Sequence, residues 1–194
     1  AWLGKQRSLP RTPGWRDLIE PMILAGHGLA AAHERHVIHG DFKPANVLIG
    51  KDGRVRVTDF GVARLRDARP PIDHERTHST DGETSEWLST ATDDASPRKL
   101  WGTPLYMAPE LFDGQRPDEI SDVYSYCASV YHAVYGRPSA QGRSFMALYA
   151  AKLEPPTAPR GTVPRRVRDI LLQGLQAEPH KRPPSVAAVV DILE

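Results

Sequence analysis

The sequence has almost no cysteine, almost no net charge and no long apolar run. Its single cysteine, Cys127, leaves no partner for an internal disulfide, which favours a reducing compartment, so we expect a cytoplasmic location. A formal net charge of +1 gives no electrostatic reason to expect binding to nucleic acid or to an anionic membrane surface. No apolar stretch approaches the ~20 residues that cross a bilayer. With 40% hydrophobic and 25% charged residues, the chain has instead the composition of a soluble globular domain.

The hydrophobic pattern predicts a mainly α-helical domain of the α+β class that contains one short β-hairpin. Apolar residues at helical spacing predict a first helix from about Thr12 to His36, with Thr12 and Pro13 at its start. Pro21 inside this stretch predicts either a kink or a later start. The following sequence changes to a period of two around a Lys-Asp-Gly turn, which predicts a hairpin over residues 46–58.

Three further helices are predicted towards the C-terminus. The stretch 119–135 is apolar nearly all round, which is typical of a helix buried in the middle of a domain. An amphipathic helix follows over 167–175, and Ser185 caps a last helix over 186–193. Between the hairpin and the helix at 119–135, residues 67–99 are rich in Ser, Thr, Asp and Pro. We expect this segment to be disordered, because it has too few apolar groups to offset the entropy of ordering.

The octapeptide HGDFKPAN, residues 39–46, carries the residue types that a phosphoryl transfer needs. Such a reaction uses a carboxylate to orient the attacking hydroxyl and receive its proton, oxygen ligands for Mg²⁺, and cations that neutralise the phosphoryl group. Asp41 suits the first role, and Lys43 suits the neutralisation of charge. Asn46 and Asp59, separated by the predicted hairpin, suit a shared metal ion as hard oxygen ligands.

Each of these residues also has an ordinary structural interpretation. Asp41 and Asn46 are common in polar turns, where they bond to backbone groups. His39 and Phe60 are more readily explained as packing residues than as chemical groups, and Leu48 reads as a core residue of the hairpin.

Four further motifs follow the octapeptide in a characteristic order. Asp59-Phe60-Gly61 comes directly after the second strand, and Gly102–Glu110 reads GTPLYMAPE. Asp122 lies in SDVYSY at the start of the apolar helix, and Arg182 lies in HKRPP near the end. The set, in this order, resembles the helical C-terminal lobe of eukaryotic-type (Hanks-type) serine/threonine protein kinases, including bacterial ones, from the first helix to the C-terminus.

The resemblance implies a protein-kinase-like C-lobe that transfers the γ-phosphate of ATP, with Mg²⁺, to Ser or Thr hydroxyls of protein substrates. It implies that Asp122 holds the backbone of the catalytic loop and that Glu110 and Arg182 form a buried ion pair. It implies that Thr103 bridges Asp41 and Lys43 and contacts the substrate. The residues implied in binding ATP or its metal are Lys43, Asn46, Leu48, which would floor the adenine pocket, and Asp59.

Gly40 stands where protein kinases of this kind usually have arginine. Its sequence His-Gly-Asp also occurs in small-molecule kinases of the aminoglycoside and choline phosphotransferase kind, but those are not expected to carry GTPLYMAPE or the later arginine. In many protein kinases the arginine pairs with a phosphate on the activation segment, which glycine does not do. We therefore expect Gly40→Arg to be tolerated or to alter regulation.

The resemblance also implies a smaller N-terminal β-lobe with a Gly-rich loop and a phosphate-binding lysine, and neither motif precedes His39. The chain begins with Ala1 and not with Met, so we expect a C-lobe taken from a longer protein, with the N-lobe missing and little ATP binding by this fragment alone. Three hypotheses remain: a Ser/Thr protein kinase domain, a non-catalytic kinase-like interaction module, and a small-molecule phosphotransferase. The intact Asp41, Lys43, Asn46 and Asp59 favour the first.

Overall fold

The structure, a computed structural model, describes residues 14–60, 64 and 65, and 103–194. Within these ranges the α-helices are α1 (Trp15–His33), α2 (Pro109–Phe112), α3 (Glu119–Tyr135), α4 (Phe145–Leu153), α5 (Arg165–Gly174) and α6 (Val186–Leu193). The strands are β1 (Val37–Ile38), β2 (Val47–Ile49), β3 (Val55–Val57) and β4 (Arg64–Leu65). The mainly helical α+β class is therefore confirmed. The segment 67–99 lies outside the described residues, and its predicted disorder stays a prediction.

Helix α1 runs without a break through Pro21, so the alternative of a later start is wrong. Its first turn is closed by Gly14, whose N–H donates to Asp17 Oδ2 (2.8 Å). The predicted start at residues 12 and 13 lies outside the described residues. The helix ends at His33, three residues earlier than expected, and His36 then adopts a left-handed φ of +56°, which does not continue a helix.

The predicted hairpin is confirmed, with β2 and β3 paired antiparallel and Val47 opposite Val57. Its turn is closed by Gly50 N–H to Arg54 O (2.8 Å), and Gly53 takes a φ of +75° that glycine adopts without steric cost. A second two-stranded sheet pairs β1 with β4 and was not predicted from the sequence. Strands of two residues are too short to show a period.

Helix α3 is the centre of the core, as predicted, and is buried on nearly all sides. It begins at an N-cap in which Asp118 Oδ1 accepts from Ser121 N–H (2.7 Å), and it ends before Gly136, at φ +66°. Helices α1, α5 and α6 pack around it. The thiol of Cys127 is fully buried here, which raises its pKa to about 12, so it serves as a small apolar group.

Helices α2 and α4 pack against each other beside this core, and neither was predicted. The ring of Phe112 stacks on Phe145 and Tyr149, with centroid separations of 4.6 and 5.3 Å. Tyr149 Oη also donates to the Asp113 carboxylate (2.8 Å), which joins the two helices at their exposed edge. In the described part of the chain, none of the helices has the length and apolar character of a membrane span.

The close contact of α1 with α3 and α6 depends on Gly26. A Cβ at this position would lie 2.5 Å from both Tyr126 Oη and Val190 Cγ2, whereas a Cβ at Gly28 in the same helix would make only an ordinary contact, 3.5 Å from Val57. We predict that Gly26→Ala lowers the free energy of unfolding by about 1–3 kcal/mol, because overpacking outweighs the better helix propensity of alanine. The matched variant Gly28→Ala should raise it by up to about 1 kcal/mol. Urea denaturation of both variants tests this, and equal stability of the two would contradict it.

Candidate active site

The carboxylate of Asp122 organises the loop between β1 and β2. Its Oδ2 accepts from His39 N–H (2.8 Å) and its Oδ1 accepts from Gly40 N–H (2.9 Å). His33, at the end of α1, places Nε2 2.8 Å from the same Oδ2. Asp122 is fully buried, and a buried carboxylate is costly unless its oxygens are satisfied. The three contacts therefore attach both α1 and the loop to the central helix.

The imidazole of His39 connects this loop to the end of the hairpin. Its Nδ1 accepts from Asp41 N–H (3.2 Å), so Nε2 carries the proton and donates to Thr58 O (3.0 Å). The ring is fully buried between Phe42 and Phe60, with centroid distances of 5.7 and 4.6 Å. His39 and Phe60 are thus packing residues, as the ordinary interpretation expected.

The structure brings together the carboxylate of Asp41, the amine of Lys43 and the start of the GTPLYMAPE segment. Asp41 Oδ1 accepts from Thr103 N–H (2.6 Å), and Lys43 Nζ lies 3.0 Å from Oδ2. Lys43 Nζ also donates to Thr103 Oγ1 (2.7 Å), which closes a triangle of three polar groups. All three residues are partly exposed, so the carboxylate is held in a defined orientation while it remains open to a ligand.

Asn46 is buried beside this cluster and directly precedes β2. Asp59 lies two residues after β3, the strand that pairs with β2. Asn46 Nδ2 donates to Asp41 O (3.0 Å), and Asn46 O accepts from both the N–H and the hydroxyl of Thr58 (2.9 and 3.2 Å). Asp59 comes next in the chain, exposed and at a left-handed φ of +59°. Non-glycine residues with positive φ are uncommon and, among them, Asp and Asn are several-fold enriched. The hairpin thus places the backbone of Asp59 one residue after the contact between Thr58 and Asn46, and a metal ion shared by Asn46 and Asp59 stays a prediction.

Leu48 was expected to be a core residue of the hairpin and, by the resemblance, the floor of an adenine pocket, and the first expectation is not met. It lies on β2 opposite Arg56 and is 52% exposed, so the interpretation as a core residue is wrong. The hairpin packs on α1 through other side chains, among them Val57. The role of Leu48 as the floor of an adenine pocket stays a prediction.

The segment from Thr103 to α2 is anchored at its far end by Glu110 and Arg182. Arg182 Nη1 and Nη2 donate to Glu110 Oε1 and Oε2, each over 2.7 Å, which makes a bidentate pair. Arg182 also donates to the carbonyls of Gln176 and Ala177 (both 2.8 Å) and is nearly fully buried. The pair is a structural connection between α2 and the chain before α6, and not a part of the cluster at Asp41.

Nothing in the sequence indicated that His33 contacts Asp122. A histidine in the last turn of a helix is ordinary, because its side chain interacts favourably with the helix dipole. Only the packing of α1 against α3 brings its ring to Asp122, 89 residues later in the chain.

Comparison with known proteins gives the family. A family model described as protein kinase domain matches residues 17–191, which is most of the chain. The chain belongs to the protein kinase family. Within it, the relatives are chiefly bacterial serine/threonine kinases of the Hanks type, in agreement with the resemblance seen in the motifs.

Three relatives illustrate the range. A probable serine/threonine-protein kinase of Corynebacterium efficiens is 37% identical over 71% of this chain and 18% of its own length. The serine/threonine-protein kinase PkaA of Streptomyces coelicolor is 32% identical over 90% of this chain and 28% of its own length. The tyrosine-protein kinase MasK of Myxococcus xanthus is 28% identical over 91% of this chain and 26% of its own length. The chain thus spans between 18% and 28% of the length of these relatives.

The role of Asp122 can be tested with a single-atom change. In Asp122→Asn the amide nitrogen replaces one acceptor, so at least one of the N–H groups of His39 and Gly40 loses its partner inside the core. We predict a loss of about 2–3 kcal/mol in the free energy of unfolding. The matched control is Asp118→Asn at the N-cap of the same helix, which should change it by less than about 0.5 kcal/mol, since both residues cap well. Chemical denaturation measures both, and an Asp122→Asn variant as stable as the control would contradict the assignment.

The backbone of Gly40 predicts a second effect. Gly40 is buried and has a φ of +76°, a conformation that costs other residues about 1–2 kcal/mol. Gly40→Ala and Gly40→Arg should therefore both lose about this much stability, and for Gly40→Arg this prediction replaces the expectation that the substitution is tolerated. Gly40→Asn should lose less, because Asn tolerates the left-handed region. Denaturant midpoints rank the variants. A Gly40→Ala protein that matches the wild type would show that the conformation imposes no constraint.

Proposed function

We propose that this chain is the catalytic C-lobe of a serine/threonine protein kinase that transfers the γ-phosphoryl group of ATP to protein hydroxyls. The observation that supports this best is the triangle of Asp41, Lys43 and Thr103, because it holds a partly exposed carboxylate on both of its oxygens. A carboxylate that served only as a turn cap would bond to the backbone beside it. Asp41 instead accepts from a residue 62 positions away.

Asp41 orients the attacking hydroxyl and receives its proton, since it is the carboxylate of the cluster that is open to a ligand. Lys43 holds the orientation of Asp41 through Oδ2 and adds positive charge where the phosphoryl group would pass. Thr103, in the GTPLYMAPE segment, fixes Asp41 Oδ1 with its backbone N–H. When bound, ATP supplies the phosphoryl group and Mg²⁺ neutralises charge on its oxygens.

The donor set fits Mg²⁺. Because Asn46 Nδ2 is engaged with Asp41 O, the atom that Asn46 offers a metal is the amide oxygen. Asp59 adds a carboxylate, and Mg²⁺ in nucleotide sites is held by one or two such ligands together with phosphate oxygens and water. In residues 14–60 and 103–194 no group of three or more His, Cys, Asp or Glu side chains forms a metal cage, so this ion would depend on the phosphates.

We propose that an N-terminal β-lobe completes the nucleotide site. The Gly-rich loop, the strand lysine and its partner glutamate that such kinases use do not occur among the described residues. Leu48 and Ile49 are 52% and 42% exposed, and such an apolar surface suits the floor of a pocket closed from the other side. The 194-residue chain alone should then show little or no phosphotransfer, because the described residues include no Gly-rich loop and no strand lysine to position the phosphates.

The contact between Lys43 and Thr103 supports Ser or Thr as the acceptor, since a lysine two residues after the catalytic aspartate is typical of the serine/threonine members of the family. Because one relative is named a tyrosine kinase, phosphoamino-acid analysis of the product belongs to the test.

The test uses the full-length protein with Mg-ATP and a general protein substrate. We predict that Asp41→Asn lowers turnover by about 10²–10⁴-fold with ATP affinity nearly unchanged, because Asp41 faces the hydroxyl. Asp59→Ala should abolish Mg²⁺-dependent transfer by removing the main metal ligand.

The matched control is Asp52→Asn in the hairpin turn, where the carboxylate is exposed and, within the part of the chain that the structure describes, pairs with Arg54 and Arg56 alone. Its activity should equal that of the wild type. Transfer that survives Asp41→Asn, or a wild type that phosphorylates only small molecules, would overturn the proposed function.

A further inference from the structure

Lys152 is a buried charge that the proposed chemistry does not use. It lies in the last turn of α4 and is 2% exposed, although lysine is almost never fully buried unless it is paired. Its Nζ donates to Leu105 O (2.9 Å), a main-chain carbonyl of the GTPLYMAPE segment. No carboxylate lies within salt-bridge distance of it among the described residues, so this hydrogen bond is its principal polar contact there.

The surroundings of the amine are aromatic and carry charge of both signs. Its Nζ lies 5.0 Å from the ring centroid of Tyr124 and 5.9 Å from that of Phe112. The Arg182 guanidinium lies 5.1 Å from the centroid of the same Tyr124 ring, and the Glu110 carboxylate attracts the ammonium. The charged and titratable groups from the packed elements are therefore Glu110 on α2, Tyr124 on α3 and Arg182 before α6.

Leu105 stands at the centre of the segment that borders the catalytic carboxylate. Two residues before it, Thr103 holds Asp41. The N–H groups of Tyr106 and Met107 both donate to Thr103 O (3.0 and 3.1 Å), so the chain forms one tight turn around Leu105. A restraint on the Leu105 carbonyl is consequently a restraint on the turn that orients Thr103.

We propose that Lys152 is a positioning residue that holds the Thr103–Met107 turn in the conformation that presents the substrate hydroxyl to Asp41. The restraint on the turn follows from geometry alone. Its effect on the rate of phosphotransfer rests on the proposed function. A methionine would fill the same apolar volume between Phe112 and Tyr124 without desolvating a charge, and replacement of a buried charge by an apolar residue is often neutral or stabilising. A lysine is therefore explained by the hydrogen bond it makes and not by packing.

Burial lowers the pKa of Lys152 to about 7, from an ordinary value of 10.5, while attraction to Glu110 opposes the shift. Between these two pH values the unfolded chain binds a proton that the folded chain has released, so this group makes the protein more stable as pH rises from about 7 to 10.5. Lys152→Met should be at least as stable as the wild type at pH 6, and its advantage in denaturation midpoint should shrink towards pH 10.

The decisive experiment measures amide hydrogen exchange at Tyr106 and Met107 in the full-length protein. Lys152→Met should raise exchange at these two amides about tenfold with no loss of global stability, since the hydrogen bond from the amine to Leu105 O restrains the turn. In the kinetic arm, kcat/KM for a protein substrate should fall about tenfold while KM for ATP stays within about twofold. The matched control is Lys181→Met, because Lys181 is 52% exposed and its one ion-pair partner among the described residues is Glu178.

The outcomes separate the two proposals. An inactive wild type would overturn the proposed function, whereas unchanged exchange at Tyr106 and Met107 in Lys152→Met would overturn the role of Lys152 whatever the activity. Faster exchange without a change in kcat/KM for the protein substrate would overturn the positioning role as well, because it would show that the restraint does not reach Asp41.

Discussion

The carboxylate of Asp122 is the contact on which the rest of the site depends. It is fully buried at the start of the central helix, and it accepts hydrogen bonds from the N–H groups of His39 and Gly40 and contacts His33. A buried carboxylate needs several donors, and loop N–H groups need acceptors, so each side removes the desolvation penalty of the other. The loop is held by its backbone, which leaves the side chain of Asp41 available for chemistry. The left-handed conformation of Gly40 is part of the same arrangement.

Two ion pairs with different properties hold the two ends of the GTPLYMAPE segment. The Glu110–Arg182 pair is bidentate and nearly fully buried, and Arg182 makes further hydrogen bonds to the chain before α6. The Asp41–Lys43 pair is partly exposed and shares its lysine with Thr103. A buried pair is costly to break and suits a permanent anchor, whereas an exposed pair is weak enough for a ligand to rearrange. Lys152 acts on the turn between the two.

Local patterns were predicted well where the period was long enough to read. The hairpin, the buried helix α3 and the capped helix α6 all appear where the sequence places them. The strands β1 and β4 were missed because two residues show no period, and α2 and α4 were missed because their short apolar runs carry no amphipathic signature. Leu48 was misread as core, since an apolar residue in a strand does not reveal which face is covered.

The order of motifs in the chain was sufficient to place it in the protein kinase family and to mark Asp41, Lys43, Asn46 and Asp59. These assignments come from residue types at short spacing, which a sequence records directly. Two contacts between distant groups were indicated by no motif and were decided by tertiary packing: His33 on Asp122, and Lys152 on Leu105. The contacts join residues 47–89 positions apart in the chain, and such pairing follows from how helices pack around α3 and not from any local pattern. The positive φ of Gly40 is likewise a property of the folded loop, since glycine permits that conformation without requiring it.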